Sequence, residues 1–281
     1  MKFLLKNLRN ILMRIIKSIN RFSKAEIHKR ERIHKIIYYN KELLFCDFII
    51  LLLTSIAFRI NCHYSSIYKY SLITLKVSKN GQQKIFNTNI FPNEIFIDNI
   101  SQPQPLNKDY SLNPDNIIKL IWTKEINYCK EMFLGCDSII EMNFTDFDIT
   151  KCTSTFSMFR DCSSLKSIDL SGIITSNKLY EIDNMFQGCK SLISLNLTNF
   201  DTSEVTNFGN AFTDCESLKF LDISNFKTDK VKYFDNMFNG CKSLTSLNLS
   251  NFNTSKMVKM HNIFKGCESL KIIDFSNLDC Q

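Results

Sequence analysis

Met185-Phe-Gln-Gly-Cys-Lys-Ser-Leu-Ile-Ser-Leu-Asn-Leu-Thr-Asn-Phe-Asp-Thr-Ser203 and Met237-Phe-Asn-Gly-Cys-Lys-Ser-Leu-Thr-Ser-Leu-Asn-Leu-Ser-Asn-Phe-Asn-Thr-Ser255 are two copies of one unit. Their cysteines belong to a series, Cys136, Cys162, Cys189, Cys215, Cys241 and Cys267, stepped by 26, 27, 26, 26 and 26 residues. A fixed period of this length marks a stacked-repeat architecture. Apolar residues keep register with each cysteine. Three residues before it stand Phe133, Phe159, Phe186, Phe212, Phe238 and Phe264. Aliphatic or aromatic residues also recur three, six, eight and eleven positions after it, from Ile139, Met142, Phe144 and Phe147 in the first copy to Leu270, Ile273, Phe275 and Leu278 in the last.

Within the unit, Leu195 and Leu197 alternate with outward positions, the period of two of a β-strand. Before the cysteine, Val205, Phe208 and Phe212 are spaced by three and four, which predicts a short helical turn on the opposite side of the coil. One unit buries too little apolar surface to stand alone. Stacked units share a core and extend a parallel sheet by one strand per coil. The expected fold is a solenoid of about six coils, on the order of 30 Å long. The copy around Cys162 carries one extra residue near Ile174, which predicts a local bulge and no break.

The consensus M-F-x-G-C-x-S-L-x-x-L-x-L-S-N-F-x-T-S resembles the BspA-type leucine-rich repeat of bacterial and protist surface proteins, in its 26-residue form. The resemblance covers residues 126–281 and departs most around Cys136 and Cys162, where Thr155 replaces the Phe208 or Phe234 of later copies. It implies a leucine-rich-repeat solenoid, a parallel β-sheet with short helical segments. It also implies a surface protein, with adhesion as the role supposed for some members.

The 281 residues and 44% hydrophobic content allow one to three folded domains. The net charge of +7 is unevenly spread: residues 1–41 hold 12 Lys and Arg against Glu26 and Glu31, and the remainder is slightly acidic. Leu4, Leu5, Leu8, Ile11, Leu12, Ile15, Ile16, Ile19 and Phe22 recur at helical spacing among bases, as in a helix that lies on an anionic membrane. An organellar transit peptide has similar chemistry. Phe48 to Phe58 is free of charge, and residues 43–60 make an 18-residue apolar span interrupted by Asp47 and Arg59. It reads as a signal anchor, a cleaved signal-peptide core or a buried core segment. The first two readings leave the basic arm cytoplasmic and residues beyond 62 outside.

The sequence therefore divides into a basic amphipathic arm (1–41), a signal anchor or signal-peptide core (42–62), a β-rich N-terminal cap (63–125) and the repeat (126–281). In the cap, 71–77 and 94–97 read as strands, Asn80-Gly81 as a hairpin turn between strands, and Ile118, Leu120 and Trp122 as an alternating run.

No G-x-S-x-G, H-E-x-x-H or phosphate loop occurs and glycines number seven, so no enzyme is expected. Catalytic, cofactor and metal residues are expected to be absent, and zinc finds no CxxC pair. The six repeat cysteines, with Cys129 and Cys152, read as apolar core residues. Cys46, Cys62 and Cys280 lie outside the pattern; Cys62 suits an intermolecular disulfide or a lipid.

The candidate binding strip is Asn143, Asp169, Asn196, Asp222, Asn248 and Asp274, which stand between the two core residues of each strand. Alternation of Asp with Asn keeps like charges apart on neighbouring strands. The strip reads either as a solvated ladder of mutual hydrogen bonds or as a recognition or Ca²⁺-binding surface. Sequons at Asn99, Asn143, Asn196, Asn248 and Asn253 would mask part of it if glycosylated.

The expected function is a membrane-anchored or secreted surface protein whose solenoid binds a protein or glycan, on the extracytoplasmic side, with no nucleic-acid partner. A structural repeat protein and an intracellular scaffold without a discrete ligand are the alternatives.

Overall fold

The computed structural model describes residues 70–88, 90–103 and 109–276. The basic arm, the apolar segment at 42–62, Cys46, Cys62, Leu278 and Cys280 lie outside these residues.

Alternation decides the strands. Ile118, Leu120 and Trp122 are buried on one face of β6 (Ile117–Trp122), as the period of two requires. Five more strands precede it: β1 (Ser71–Val77), β2 (Gly81–Lys84), β3 (Glu94–Ile97), β4 (Ile100–Gln102) and β5 (Asp109–Leu112). The repeat adds β7 (Ile139–Thr145), β8 (Phe147–Asp148), β9 (Ser167–Asp169), β10 (Ile173–Ile174), β11 (Ser194–Asn196), β12 (Ser246–Asn248) and β13 (Ile272–Asp274). β7, β9 and β11 pair in parallel, in step with the repeat. β1 lies antiparallel between β6 and β7, so one seven-stranded sheet, β11-β9-β7-β1-β6-β3-β4, joins the first coils to the strands before them.

Two expectations about strands are corrected. Asn80-Gly81 does not close a hairpin: β2 pairs with β5, and β1 pairs with β6 and β7. The tight hairpin is β3–β4, whose turn residues Asp98 and Asn99 both have positive φ, 49° and 66°, as a type I′ turn requires. The rule of one strand per coil fails in the fourth coil, where 219–222 form no strand although Leu221 is buried.

The larger correction concerns the stretch before each cysteine. It is not helical, and no helix occurs among the described residues. In the second coil, the N–H groups of Met158, Arg160 and Cys162 donate to the carbonyls of Thr155, Ser157 and Phe159, three residues back. The intervening N–H groups of Ser157, Phe159 and Asp161 donate instead to Asp183, Met185 and Gln187 of the third coil. Turn bonds and coil-to-coil bonds thus alternate along the chain, which an α-helix, with every N–H turned to residue i−4, cannot provide. The first and third of these turns place a residue of positive φ at their third position, as a type II turn requires. Ser157 (52°) and Asp161 (59°) supply it, as do Asn184, Gly188, Asn210, Asp214, Asn236 and Gly240 in later coils. Apolar spacing of three and four fits a run of linked turns as well as a helix. The Asn, Asp and Gly at these positions tip the balance, because they adopt the left-handed conformation at least cost. Gly188 and Gly240 also leave room for the Asp161 and Asp214 carboxylates of the coil before, which a Cβ at either glycine would push aside.

The core runs unbroken through the stack. Phe133, Phe159, Phe186, Phe212, Phe238 and Phe264 form a column of parallel rings with centroids 5.7, 5.3, 5.5, 5.7 and 5.9 Å apart. A second column places Phe208 on Phe234 at 5.9 Å. Beside the first column run the cysteines. The Sγ of Cys162, Cys189, Cys215, Cys241 and Cys267 donates to the carbonyl of Phe133, Phe159, Phe186, Phe212 and Phe238, respectively, over 3.0–3.3 Å. All six repeat cysteines are free thiols, and burial pushes Cys162 up to about 12. Cys129 and Cys152 form a disulfide that ties the first coil to the second.

Polar consensus residues stitch the other edge. The Asn199, Asn225 and Asn251 amides donate to carbonyls of the coil before. Thr202 and Thr228 bond the coil after, Oγ1 donating to one carbonyl and accepting one N–H in each case. The extra residue near Ile174 is absorbed without loss of step: the single-residue bridge Ser154–Glu181 continues through Asn207, Tyr233 and Lys259.

Phe212→Ala opens a cavity at the middle of the ring column. It is expected to cost about 3–5 kcal/mol of stability, read as a lowered urea midpoint of the full-length chain. A change within 1 kcal/mol contradicts a continuous column.

Candidate functional site

The outward residues of adjoining strands meet in rows, because neighbours in a sheet share a face. One row is Thr74, Asn143, Asp169 and Asn196; the other is Lys76, Glu141, Ser167 and Ser194. Between and beside these rows lies a groove of about 420 Å³, with Ile117 of β6 at its edge. Its outward side chains are small or polar, but the surface it exposes is mostly carbon, with Leu75, Met142 and Ile168 among its lining. Its charges are Lys76, Glu141 and Asp169, and Lys76 Nζ is held 3.1 Å from Asp115. Such a site can offer hydrogen bonds along an extended ligand.

The structure brings Asn143, Asp169 and Asn196 together in this groove and leaves Asp222, Asn248 and Asp274 on later coils, outside it. It also assigns the strip a job in the fold. The Oδ1 of Asp169, Asn196, Asp222, Asn248 and Asp274 accepts the N–H of the residue two positions on, at 2.9–3.1 Å. Asn143 accepts the Thr145 hydroxyl at 3.3 Å. These are side chains closing the turn after each strand. The expected ladder of mutual bonds is therefore corrected: the bonds run within a coil. The hydroxyl and N–H of Ser224 hold the Asp222 carboxyl below the usual range, and the N–H and hydroxyl of Ser276 do the same for Asp274. The same turn explains three of the sequons, because Asn-x-Ser/Thr at 143, 196 and 248 is the turn motif itself. Among the described residues no three His, Cys, Asp or Glu side chains gather to hold a metal.

The residues missed were of two kinds. Glu141, Ser167 and Ser194 stand two positions before strip residues and were within reach of the period-two rule. Thr74, Lys76 and Ile117 enter through the antiparallel docking of β1, for which the repeat pattern holds no signal.

A second polar cluster lies on the turn side of the first three coils. Lys130 Nζ pairs with Glu181 at 2.8 Å and sits 5.9 Å above the Phe156 ring. Desolvation works against the Glu181 carboxylate, but bonds from Lys130 and Ser154 outweigh it and hold the group below its ordinary value. Asp183 has the opposite outcome: burial, then the neighbouring Glu181, pushes its carboxyl up to about 6.

Two predictions follow from these environments. Asp222→Asn keeps the turn bond, as Asn196 and Asn248 do, and is expected to leave thermal stability unchanged. Asp222→Ala loses it, at a cost on the order of 0.5–1 kcal/mol by thermal melt. For Asp183 the folded value lies above the unfolded one, so its contribution to stability is greatest below about pH 4. That contribution falls as pH rises through about 6. Asp183→Asn should remove this fall, so its stability relative to wild type rises from pH 4 to pH 7 in paired denaturant titrations. A pH-independent difference contradicts the assignment.

The comparisons agree with the repeat geometry. A family described as "Mycoplasma protein of unknown function, DUF285" matches twice in tandem, over residues 104–191 and 174–278. No curated protein and no solved structure matches the chain. Together the two matches span more than half of the 281 residues, and the chain belongs to the DUF285 repeat family.

Proposed function

We propose that this is a membrane-anchored or secreted surface protein whose repeat, a leucine-rich-repeat solenoid of BspA type, presents its strand face to a protein or glycan partner. The observation that carries the reading is the groove of about 420 Å³ across β1, β7, β9 and β11, where outward Ser, Thr, Asn and charged side chains stand over a mainly apolar lining. Strand faces of stacked repeats form extended binding surfaces, and rigid strands place such groups more reproducibly than loops do. The basic arm and the apolar segment at 42–62 support delivery to a membrane, with the repeat on the extracytoplasmic side. The residues that contact the partner are Asn143, Asp169 and Asn196 with Glu141, Ser167 and Ser194.

A structural repeat without a ligand is the second reading, favoured by the turn bonds that occupy the strip's side-chain oxygens.

Intact cells making the full-length chain, treated with a membrane-impermeant amine reagent, should show label on Lys166 and Lys219, both exposed. Label appearing only after lysis overturns the surface assignment. On an array of glycans and matrix proteins, Ser167→Tyr with Ser194→Tyr fills the groove and should weaken binding at least tenfold. Unchanged binding moves recognition away from the groove.

A further inference from the structure

Charges on the stack follow two different rules. One position after Cys189, Cys215 and Cys241 stand Lys190, Glu216 and Lys242, and these neutralise one another from coil to coil, at 3.7 and 2.7 Å. Four and seven positions after the cysteine the pattern changes. The second, fourth and sixth coils carry Lys166 with Asp169, Lys219 with Asp222, and Lys271 with Asp274. The coils between carry Ile193 with Asn196 and Thr245 with Asn248. Charge therefore recurs at every second coil, about 10 Å apart for two strand spacings. The Asp row continues the outward line of Asn143 and Asn196; the Lys row is exposed and leads into the strands, Lys166 and Lys271 standing one residue before β9 and β13.

These charges are unspent. Lys166, Lys219 and Lys271 are exposed and make no ion pair among the described residues. Each Asp accepts the N–H of the residue two positions on within its own turn, and none of the three pairs with a Lys or Arg among the described residues. Within a coil, Lys and Asp are three residues apart on an extended chain, about 10 Å, which is beyond direct pairing and near one screening length. Exposed apolar groups stand here too: Phe220 and Ile272, 66% and 67% exposed, follow Lys219 and Lys271, and Ile193, 55% exposed, takes the Lys position of the third coil. A face of this composition is unusual for a solvated surface and is characteristic of an interface with an apolar centre and a charged rim.

We infer that this face docks on the same face of a second copy of the chain. A two-fold axis along the stack reverses strand direction and keeps the coil order. It therefore sets the Lys row of each copy against the Asp row of the other, with Lys219 opposite the partner's Asp222 and the Phe220 side chains near the axis. The match in spacing is automatic, since both copies carry the same two-coil period. A purely anionic polymer fits less well, because its charges would meet the Asp row within a screening length of the Lys row. Self-docking extends beyond the groove: Lys219, Phe220, Asp222, Lys271 and Asp274 lie outside it, and Asp169 is the residue the two readings share.

The test uses full-length chains, half of them ¹⁵N-labelled, mixed and treated with a zero-length carbodiimide that joins Lys to Asp. Mixed-isotope cross-links between the Lys219 and Asp222 peptides are expected, with the dimer weakened at least tenfold between 50 and 500 mM NaCl in sedimentation. The triple variant Asp169→Asn, Asp222→Asn, Asp274→Asn keeps the turn bonds and its melting temperature. It should lose both the cross-links and at least tenfold in dimer affinity. Absence of mixed-isotope links, or links that survive in the triple variant, overturns the proposal. So does a monomer that instead binds a heparin column through Lys166, Lys219 and Lys271.

Discussion

The carbonyls of Phe133, Phe159, Phe186, Phe212 and Phe238 each accept two hydrogen bonds, and the repeat depends on that double duty. Phe159 accepts the N–H of Cys162 in its own coil and the thiol of Cys189 in the next. The first bond closes a turn and the second fixes the step between coils. Because a carbonyl has two lone pairs, one atom can do both. Cysteine suits the position: it is small enough to sit against the ring column and apolar enough to be buried at little cost, yet keeps a weak donor. Burial drives the thiols far from ionisation, so they take a packing role and not a nucleophilic one.

From that constraint the other consensus residues acquire reasons. Two positions per coil take positive φ, and from the third coil on Asn, Asp or Gly occupies them, with Glu131 and Ser157 standing there in the first two. Turns on the strand side need a side-chain acceptor, which Asp or Asn supplies, and the far edge needs stitches, which Asn and Thr supply. The antiparallel strand β1, laid against β7, ends the sheet's repetition on one side and builds the groove in doing so. Site and scaffold are thus made of the same residues. A substitution in the strip must be chosen to keep the turn while changing the surface.

The repeat, its six copies and its buried registers were legible in the sequence because apolar residues at fixed spacing have few physical outcomes. The backbone conformation before the cysteine was not. Spacing of three and four reports which side chains face inward, and linked turns satisfy it as well as a helix does. The signal that separates them is the pair of left-handed positions, Ser157 with Asp161 or Asn184 with Gly188, read as turn chemistry and not as polar filler. The strip was found, but its first duty, closing turns, was hidden in the Asx-x-Ser/Thr motif that also spells a sequon. One side of the groove could not be read at all, since Thr74, Lys76 and Ile117 reach it by a strand docking that the repeat does not encode. The partner of Cys129 was equally hidden: Cys152 lies on a different register, and only the stacking of two coils brings their Cα atoms to 6.2 Å.

The central claim is that the cysteine column is sealed inside the stack by its bonds to the phenylalanine carbonyls. Its most direct measurement is thiol alkylation of the native full-length chain at pH 8, followed peptide by peptide by mass spectrometry. Cys162, Cys189, Cys215 and Cys241 should resist iodoacetamide for hours and react only in denaturant, with Cys267 of the last coil labelled sooner. Alkylation of the four inner cysteines at the rate of an exposed thiol, in a chain that remains folded, would contradict it.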